Sequence, residues 1–322
     1  MDAVILANTS EMSHEEWLAA RRKGIGGSDA AAIAGLNKWK SPVAVYLEKI
    51  GQAPEENVSN EAAYWGTVLE DIVAQEFSRR TGLKVRRRNA ILRHPEYPFM
   101  IANIDRLVVG EDAGLECKTA SEYLKDEWVE GEKIPDQYFI QCQHYMAVTG
   151  RSRWYIAVLI GGNKFRWDVI ERDEDIIRYL IEIESEFWQR VIEKRPPEVD
   201  GSEASTNLLN LLYPVESVVD DEAELPREVE ALIAELEAVN AEIKQKSERK
   251  AEIENKIKAL LGERERGRTS EYVVKWSVVN SNQFDSKRFA KEHPDLYQQY
   301  IQTSTYRRFS ISKNKSRKVV FQ

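Results

Sequence analysis

Apolar residues recur at helical spacing through much of the first two hundred positions. His14–Lys23 is short and amphipathic, and the run Gly24-Ile25-Gly26-Gly27 interrupts it. Ser28-Asp29 then caps a second apolar helix that runs to Ala34. Gly35 stops that helix, and Ser41-Pro42 opens a third through Ile50, with proline in the first turn where a missing N–H costs nothing. Glu61–Arg80 carries Trp65, Leu69, Ile72, Val73 and Phe77 at helical spacing and ends at Thr81-Gly82. Short alternating runs follow: Lys84–Arg88, Ala90–Arg93, Met100–Ile104, Asp105–Val109 and Gly114–Lys118, separated by Pro, Gly and acidic turns. Pro135–Val148 returns to helix. Arg153–Ile160 and Lys164–Ile170 flank Gly161-Gly162-Asn163 as a hairpin. Asp173–Lys194 places Ile176, Ile177, Leu180, Ile183, Phe187 and Val191 on one helical face and stops at Pro196-Pro197. This order predicts an α/β fold of the α+β type: one mixed sheet flanked by helices.

Beyond Pro214 the pattern changes. Leu225, Val229, Leu232, Leu236, Val239 and Ile243 alternate steps of four and three, and the rhythm resumes at Ile253, Ile257 and Leu260. That is a coiled-coil seam, interrupted by Lys246 and Lys250. The segment is either one continuous helix or a helical hairpin bending near Gln245–Glu248. Strands are predicted at Tyr272–Val279 and Arg307–Ser312 around a helix at Asp285–Tyr300. The expected organisation is a core over 1–200, a linker over 201–224, a long helix over 225–262 and a small basic module over 263–322.

Composition narrows the function classes. With 42% hydrophobic and 31% charged residues, the chain is globular. A net charge of −8 excludes a general basic coat for nucleic acid, but the charge is uneven. Residues 1–220 carry 26 basic against 37 acidic side chains, whereas 263–322 carry 13 against 6. The asymmetry suggests separate jobs for the two ends. Cys117 and Cys142, the only cysteines, exclude a disulfide framework and a four-cysteine metal site. No long apolar span or leader is evident, so the expectation is a soluble, cytoplasmic protein without membrane contact.

The strongest chemical signal is acidic. Glu70 lies on the long helix, Asp105 follows Ala102-Asn103-Ile104, and Glu116-Cys117-Lys118 ends a strand. Glu116 and Lys118 project from one face of that strand while Cys117 points to the other, as a core thiol. A carboxylate set that holds Mg²⁺ through hard oxygens, with a lysine beside it, suits phosphodiester hydrolysis. A cross-strand salt bridge in a surface hairpin would show the same spacing, which on its own is common by chance. Tyr138, Gln141 and Tyr145 fall at i, i+3 and i+7 on one helix face. Arg21 and Ser28, on either side of the glycine turn, could cradle a phosphate. The histidines share no ligand spacing, and neither G-x-S-x-G nor H-E-x-x-H occurs.

Taken together, Trp17, Arg21, Gly24-Ile25-Gly26-Gly27-Ser28-Asp29, Trp65-Gly66-x-x-Leu69-Glu70, Asp105, Glu116-Cys117-Lys118 and Tyr138-x-x-Gln141-x-Gln143 resemble the lambda-exonuclease (YqaJ-type) phage recombinases of the PD-(D/E)XK nuclease superfamily. The match spans roughly residues 10–195. It implies a restriction-endonuclease-like core and a Mg²⁺-dependent 5′→3′ exonuclease acting on linear duplex DNA, with Mn²⁺ as a substitute. It also implies a ring-shaped homotrimer and a single-strand annealing protein as partner. By the same resemblance, Asp105, Glu116 and the Cys117 carbonyl would bind one metal ion and Glu70 a second. Lys118 would position the attacking water, Tyr138 and Gln141 would support the site, and Arg21 and Ser28 would grip the 5′-terminal phosphate. The superfamily's proline before the aspartate is absent, since Asn103-Ile104 precedes Asp105. Two rivals stay open: a PD-(D/E)XK endonuclease, which would cut closed circles, and a non-catalytic DNA-end adaptor, which would release no nucleotide.

Overall fold

The computed structural model describes residues 3–53, 61–129, 131 and 133–313. The chain divides into two compact units, Met1–Pro214 and Val215–Gln322. The first opens with strand β1 (Val4–Asn8), followed by helices α1 (His14–Arg21), α2 (Gly27–Ile33), α3 (Pro42–Lys49) and α4 (Glu61–Thr81). Five strands come next: β2 (Val85–Arg87), β3 (Ala90–Arg93), β4 (Ile101–Asn103), β5 (Arg106–Val108) and β6 (Ala113–Ala120). Helix α5 (Asp136–Thr149), strands β7 (Arg153–Ile160) and β8 (Lys164–Glu171), and helices α6 (Glu174–Glu193) and α7 (Glu203–Leu212) complete the unit.

Local chemistry sets most of these bounds. Ser13 and Glu16 form a reciprocal cap at the start of α1, and the Ser41 hydroxyl accepts the Ala44 N–H beside Pro42. Asp173 caps α6 by accepting from Asp175 and Ile176. Helix α2 differs from expectation. Its cap is Gly26, not Ser28, and the Asp29 carboxylate reaches back 3.1 Å to the Gly26 N–H.

The main sheet is mixed, in the order β2-β5-β6-β7-β8, with β6 and β7 parallel and the other neighbours antiparallel. A parallel pair needs a crossover, and α5 supplies it. A smaller antiparallel sheet has the order β1-β3-β4. On one face of the main sheet, Val73, Ala74 and Phe77 of α4 join Leu115, Tyr155 and Ala157. On the other, Cys142, Tyr145 and Met146 of α5 pack with Trp154, Ile156 and Val158. A further cluster joins α2, α3 and α6 around Ala31, Tyr46, Ile140 and Leu180. The fold class is the mixed α/β one read from the sequence.

Several elements depart from the sequence pattern. Only the second half of α4 is buried, and Trp65 and Ile72 are exposed. The stretch read as a linker contains α7, with Ala204, Ser205 and Leu208 buried. In the second unit the long helix is continuous: α8 (Glu228–Leu261) has 34 residues and no bend into a hairpin. Strands β9 (Arg266–Arg268) and β10 (Val273–Lys275) then pair antiparallel, so the expected strand is shorter and its partner lies upstream. The expected single helix splits at Pro294 into α9 (Ser286–Glu292) and α10 (Pro294–Tyr300). Residues 307–312 form no strand. The basic stretch 314–318 lies outside the described residues. Among the described residues, no helix is long and apolar enough to cross a membrane.

Candidate active site

Alternation along β6 decides which side chains enter the site. Leu115 and Cys117 pack on the α4 side, while Glu116 and Lys118 face α5. Gly114 makes room on that second face, because a Cβ there would lie 2.3 Å from the Trp154 ring. Helix α5 brings Gln141 over the pair. Its amide nitrogen donates to Glu116 Oε1 (2.7 Å) and to the Tyr145 hydroxyl (2.8 Å), and its oxygen accepts from Lys118 Nζ (3.2 Å). Lys118 Nζ is also 2.6 Å from Glu116 Oε1 and 4.8 Å above the Tyr138 ring, which stacks on Trp128. The Tyr145 hydroxyl donates to the Asn103 carbonyl at 3.2 Å. The i, i+3, i+7 stripe is one wall of the site.

Burial alone would lower the Lys118 ammonium, but the charges of Glu116 and Asp105 outweigh it and hold the group above the ordinary lysine value. Lys118 therefore stays a cation. Burial, with the same two carboxylates, pushes the Tyr145 phenol and the Cys117 thiol up.

Asp105 lies between β4 and β5 and accepts the Cys117 N–H at 2.8 Å. Desolvation first, and then the charges of Glu116 and Glu70, raise its carboxyl well above the usual range. Glu70 reaches in from α4 but is ion-paired with Arg106. Arg106 also pairs with Asp71 and donates to the Asp105 carbonyl at 2.7 Å. Among the described residues, no three His, Cys, Asp or Glu side chains meet as a group able to hold a metal ion. Of the cluster expected from the sequence, Asp105 and Glu116 adjoin, and Glu70 lies close enough for its charge to act on Asp105 while paired with Arg106. Two features nonetheless fit a hard cation beside Asp105 and Glu116. Glu116 Oε2 is buried without a hydrogen-bond partner, and a cation would relieve the negative charge crowding Asp105.

The glycine turn forms the other half of the site. Ile25 bridges to the strand region in parallel: its N–H donates to the Phe99 carbonyl (2.6 Å), and its carbonyl accepts from Ile101 (2.9 Å). A Cβ at Gly27 would come within 2.7 Å of the Tyr145 ring and 2.9 Å of Gln141 Cγ, so only glycine lets α2 lie this close to α5. Arg21 Nη2 donates to Ser28 Oγ at 3.3 Å, and the guanidinium sits 4.7 Å over Trp17. The structure thus brings Arg21 and Ser28 together, on a turn that shares a wall with Gln141.

Behind them Asp29 is fully buried, 2.6 Å from Lys49 Nζ and 2.9 Å from Lys40 Nζ, with Arg21 at 3.9 Å. Desolvation would raise this carboxyl, but Lys40, Lys49 and Arg21 together hold it well below its ordinary value. The sequence assigns Asp29 a place as a cap and Tyr145 one in the helical stripe, but neither as part of the site, and Lys49 and Arg106 enter the site without a sequence signal pointing to them. Asp29 directly follows Ser28, which was the available signal. Gln143 is structural: it donates to the Glu171 carbonyl and accepts the Asp173 N–H. Nearby cations are engaged within the fold: Lys38 pairs with Glu127, Lys40 with Asp29 and Glu48, and Arg87 with Asp71.

A family model described as the YqaJ-like viral recombinase domain matches residues 16–152. The protein YqaJ of Bacillus subtilis (strain 168) is 45% identical over 314 residues, covering 97% of this chain and 98% of its own length. Among solved structures, an alkaline exonuclease from Laribacter hongkongensis superposes with a TM-score of 0.48 at 24% identity, over 56% of this chain and 94% of that one. The structure of that exonuclease in complex with dAMP gives the same TM-score and coverage at 25% identity.

Proposed function

The chain belongs to the YqaJ-like viral recombinase family, and from that premise we propose that it is a Mg²⁺-dependent nuclease that digests one strand of linear duplex DNA from the 5′ end. The observation that carries this reading is the array of buried Glu116 and Gln141 with half-buried Lys118 beside Asp105, one wall away from Arg21 and Ser28. A surface salt bridge would not need the buried amide of Gln141 to hold both of its members.

Asp105 and Glu116, with the Cys117 carbonyl, would hold Mg²⁺, and Glu70 would serve a second ion on leaving Arg106. Bound Mg²⁺ (or Mn²⁺) supplies Lewis acidity and a more acidic water. The residues of the chain do the rest. Gln141 fixes Glu116 and Lys118 in one geometry, and Tyr138 props the Lys118 stem. The Lys118 charge stands beside the position where negative charge develops on the attacked phosphate. Water oxygen bonds to phosphorus as the P–O3′ bond breaks. The first nucleotide leaves with a 3′-hydroxyl, and the shortened strand keeps a new 5′-phosphate. Arg21 and Ser28 would hold the terminal phosphate, so each cut regenerates the group they recognise. A homotrimeric ring around the duplex would keep the chain on its track. The remaining 3′ single strand would pass to an annealing protein, in the cytoplasm.

The test uses 5′-phosphorylated linear duplex, 5′-hydroxyl linear duplex and closed circles, each with Mg²⁺ and with EDTA. Release of mononucleotides from linear ends only, fastest with 5′-phosphate and abolished by EDTA, is the expected result. Cleavage of closed circles would make it an endonuclease. Binding of ends without release would make it an adaptor.

A further inference from the structure

Helix α8 carries an apolar seam that its own unit does not cover. Leu232, Leu236, Val239, Ile243, Ile253, Ile257 and Leu260 are all exposed, Leu260 at 86%. With Val229, Lys246 and Lys250 they occupy every first and fourth place of nearly five heptads. A seam of that length is enough for a coiled coil.

The charges choose the partner and its direction. From Glu228 to Glu242 the helix has five glutamates and no cation, whereas from Ile243 to Leu261 it has six cations and three glutamates. One half of α8 is thus complementary to the other half, but only head to tail. The register sharpens this. In an antiparallel pair aligned about the helix centre, Val229 meets the partner's Leu260, Leu232 meets Ile257 and Leu236 meets Ile253. Lys246 then faces Ile243 and Lys250 faces Val239, so neither seam lysine meets another. The flanking positions Glu235, Glu242, Arg249 and Lys256 pair as Glu235 with Lys256 and Glu242 with Arg249, each twice by symmetry. A parallel pair would stack Lys246 on Lys246 and Lys250 on Lys250. It would set Glu235 against Asn240 and Glu242 against Ser247, keeping only Arg249 with Glu254. The present ion pairs of Arg249 and Lys256, both to Glu252 on the same exposed helix, are of the kind that exchange partners at little cost.

We propose that α8 is a dimerisation element that binds α8 of a second copy of this chain as an antiparallel two-stranded coiled coil. The inference stands apart from the catalytic reading. A twofold contact cannot close a threefold ring, so α8 would join copies across a dyad whether or not the cores also form rings.

Full-length protein is the material for the test. Wild type should have an even multiple of the 37.1 kDa chain mass by light scattering. Charge reversal by Glu235→Lys with Glu242→Lys should halve that mass, and adding Arg249→Glu with Lys256→Glu should restore it. Under mild oxidation, Leu236→Cys protein mixed with Ile253→Cys protein should give an interchain disulfide. Neither alone should, because identical sites would be ~25 Å apart along the pair. Self-cross-linking of either variant would show a parallel bundle and overturn the proposal. So would a mass unaffected by charge reversal, which would leave the seam to another partner, or a monomeric wild type at micromolar concentration.

Discussion

Lys118 keeps its proton because Glu116 and Asp105 outweigh the burial that would remove it. Its charge is needed most where the phosphate gains negative charge, so Lys118→Ala should cut the rate of strand degradation by more than tenfold while duplex binding changes only a few-fold. Single-turnover digestion beside a binding titration separates the two. Asp105→Asn replaces a charged oxygen ligand by a neutral amide, and calorimetry with DNA present should then find Mg²⁺ affinity lost along with activity. Arg21→Ala should be more selective. Asp29 would keep Lys40 and Lys49, so the turn stays neutralised and the fold survives. One lost charge-assisted contact costs roughly 1.5–3 kcal/mol, on the order of tenfold to a hundredfold. That loss should fall on 5′-phosphorylated ends and narrow the gap to 5′-hydroxyl ends; an equal loss on both would remove Arg21 as the end reader.

At the scale of elements, the joint between α2 and the wall of α5 carries the site. Asp29 anchors α2 to α3 through Lys49, whose side chain is 3% exposed. Its carboxyl is held low in the folded state and returns to its ordinary value, near 3.8, on unfolding. The stabilisation is therefore complete above about pH 4 and is lost as the pH falls further, when the unfolded chain takes up the proton first. Asp29→Asn should flatten the fall in melting temperature below pH 4. At neutral pH it should cost about 3–5 kcal/mol, because Lys49 is left buried and unpaired. Gly27→Ala tests the other side of the joint. A methyl 2.7 Å from Tyr145 must push α2 off α5 at a cost of about 1–3 kcal/mol, and activity should fall with it because Gln141 moves too.

For the whole molecule, the division into two units would put the proposed catalysis and the proposed association on separate parts of the chain. Every proposed catalytic and phosphate-binding residue lies in Met1–Pro214, and the exposed seam lies in Val215–Gln322. A chain ending at Pro214 should degrade linear duplex within a few-fold of the full-length rate per site while losing the association made by α8. If the truncated chain folds, by circular dichroism, and is inactive, the second unit takes part in catalysis or DNA binding.

What the sequence determined alone was local and periodic. The Ser41-Pro42 helix start, the two-residue alternation of Glu116 and Lys118, and the i, i+3, i+7 stripe of Tyr138, Gln141 and Tyr145 act within a few residues. The heptad of α8 is periodic in the same way, but that its helix continues through Lys246 and Lys250 instead of bending there is settled by the structure. Tertiary structure decided what depends on distant partners. Strand β1 exists because Val4 finds Arg93, a pairing that no short window contains. Trp65 and Ile72 have core spacing yet lie exposed, while Val73, Ala74 and Phe77 of the same helix are the residues that pack on the sheet. Asp105 and Glu116 come together through the antiparallel turn of β5 onto β6, whereas Glu70 is claimed by Arg106, a cation whose reach only the folded sheet defines. Sequence spacing selects a face of an element; which faces meet is set by the packing of all of them at once.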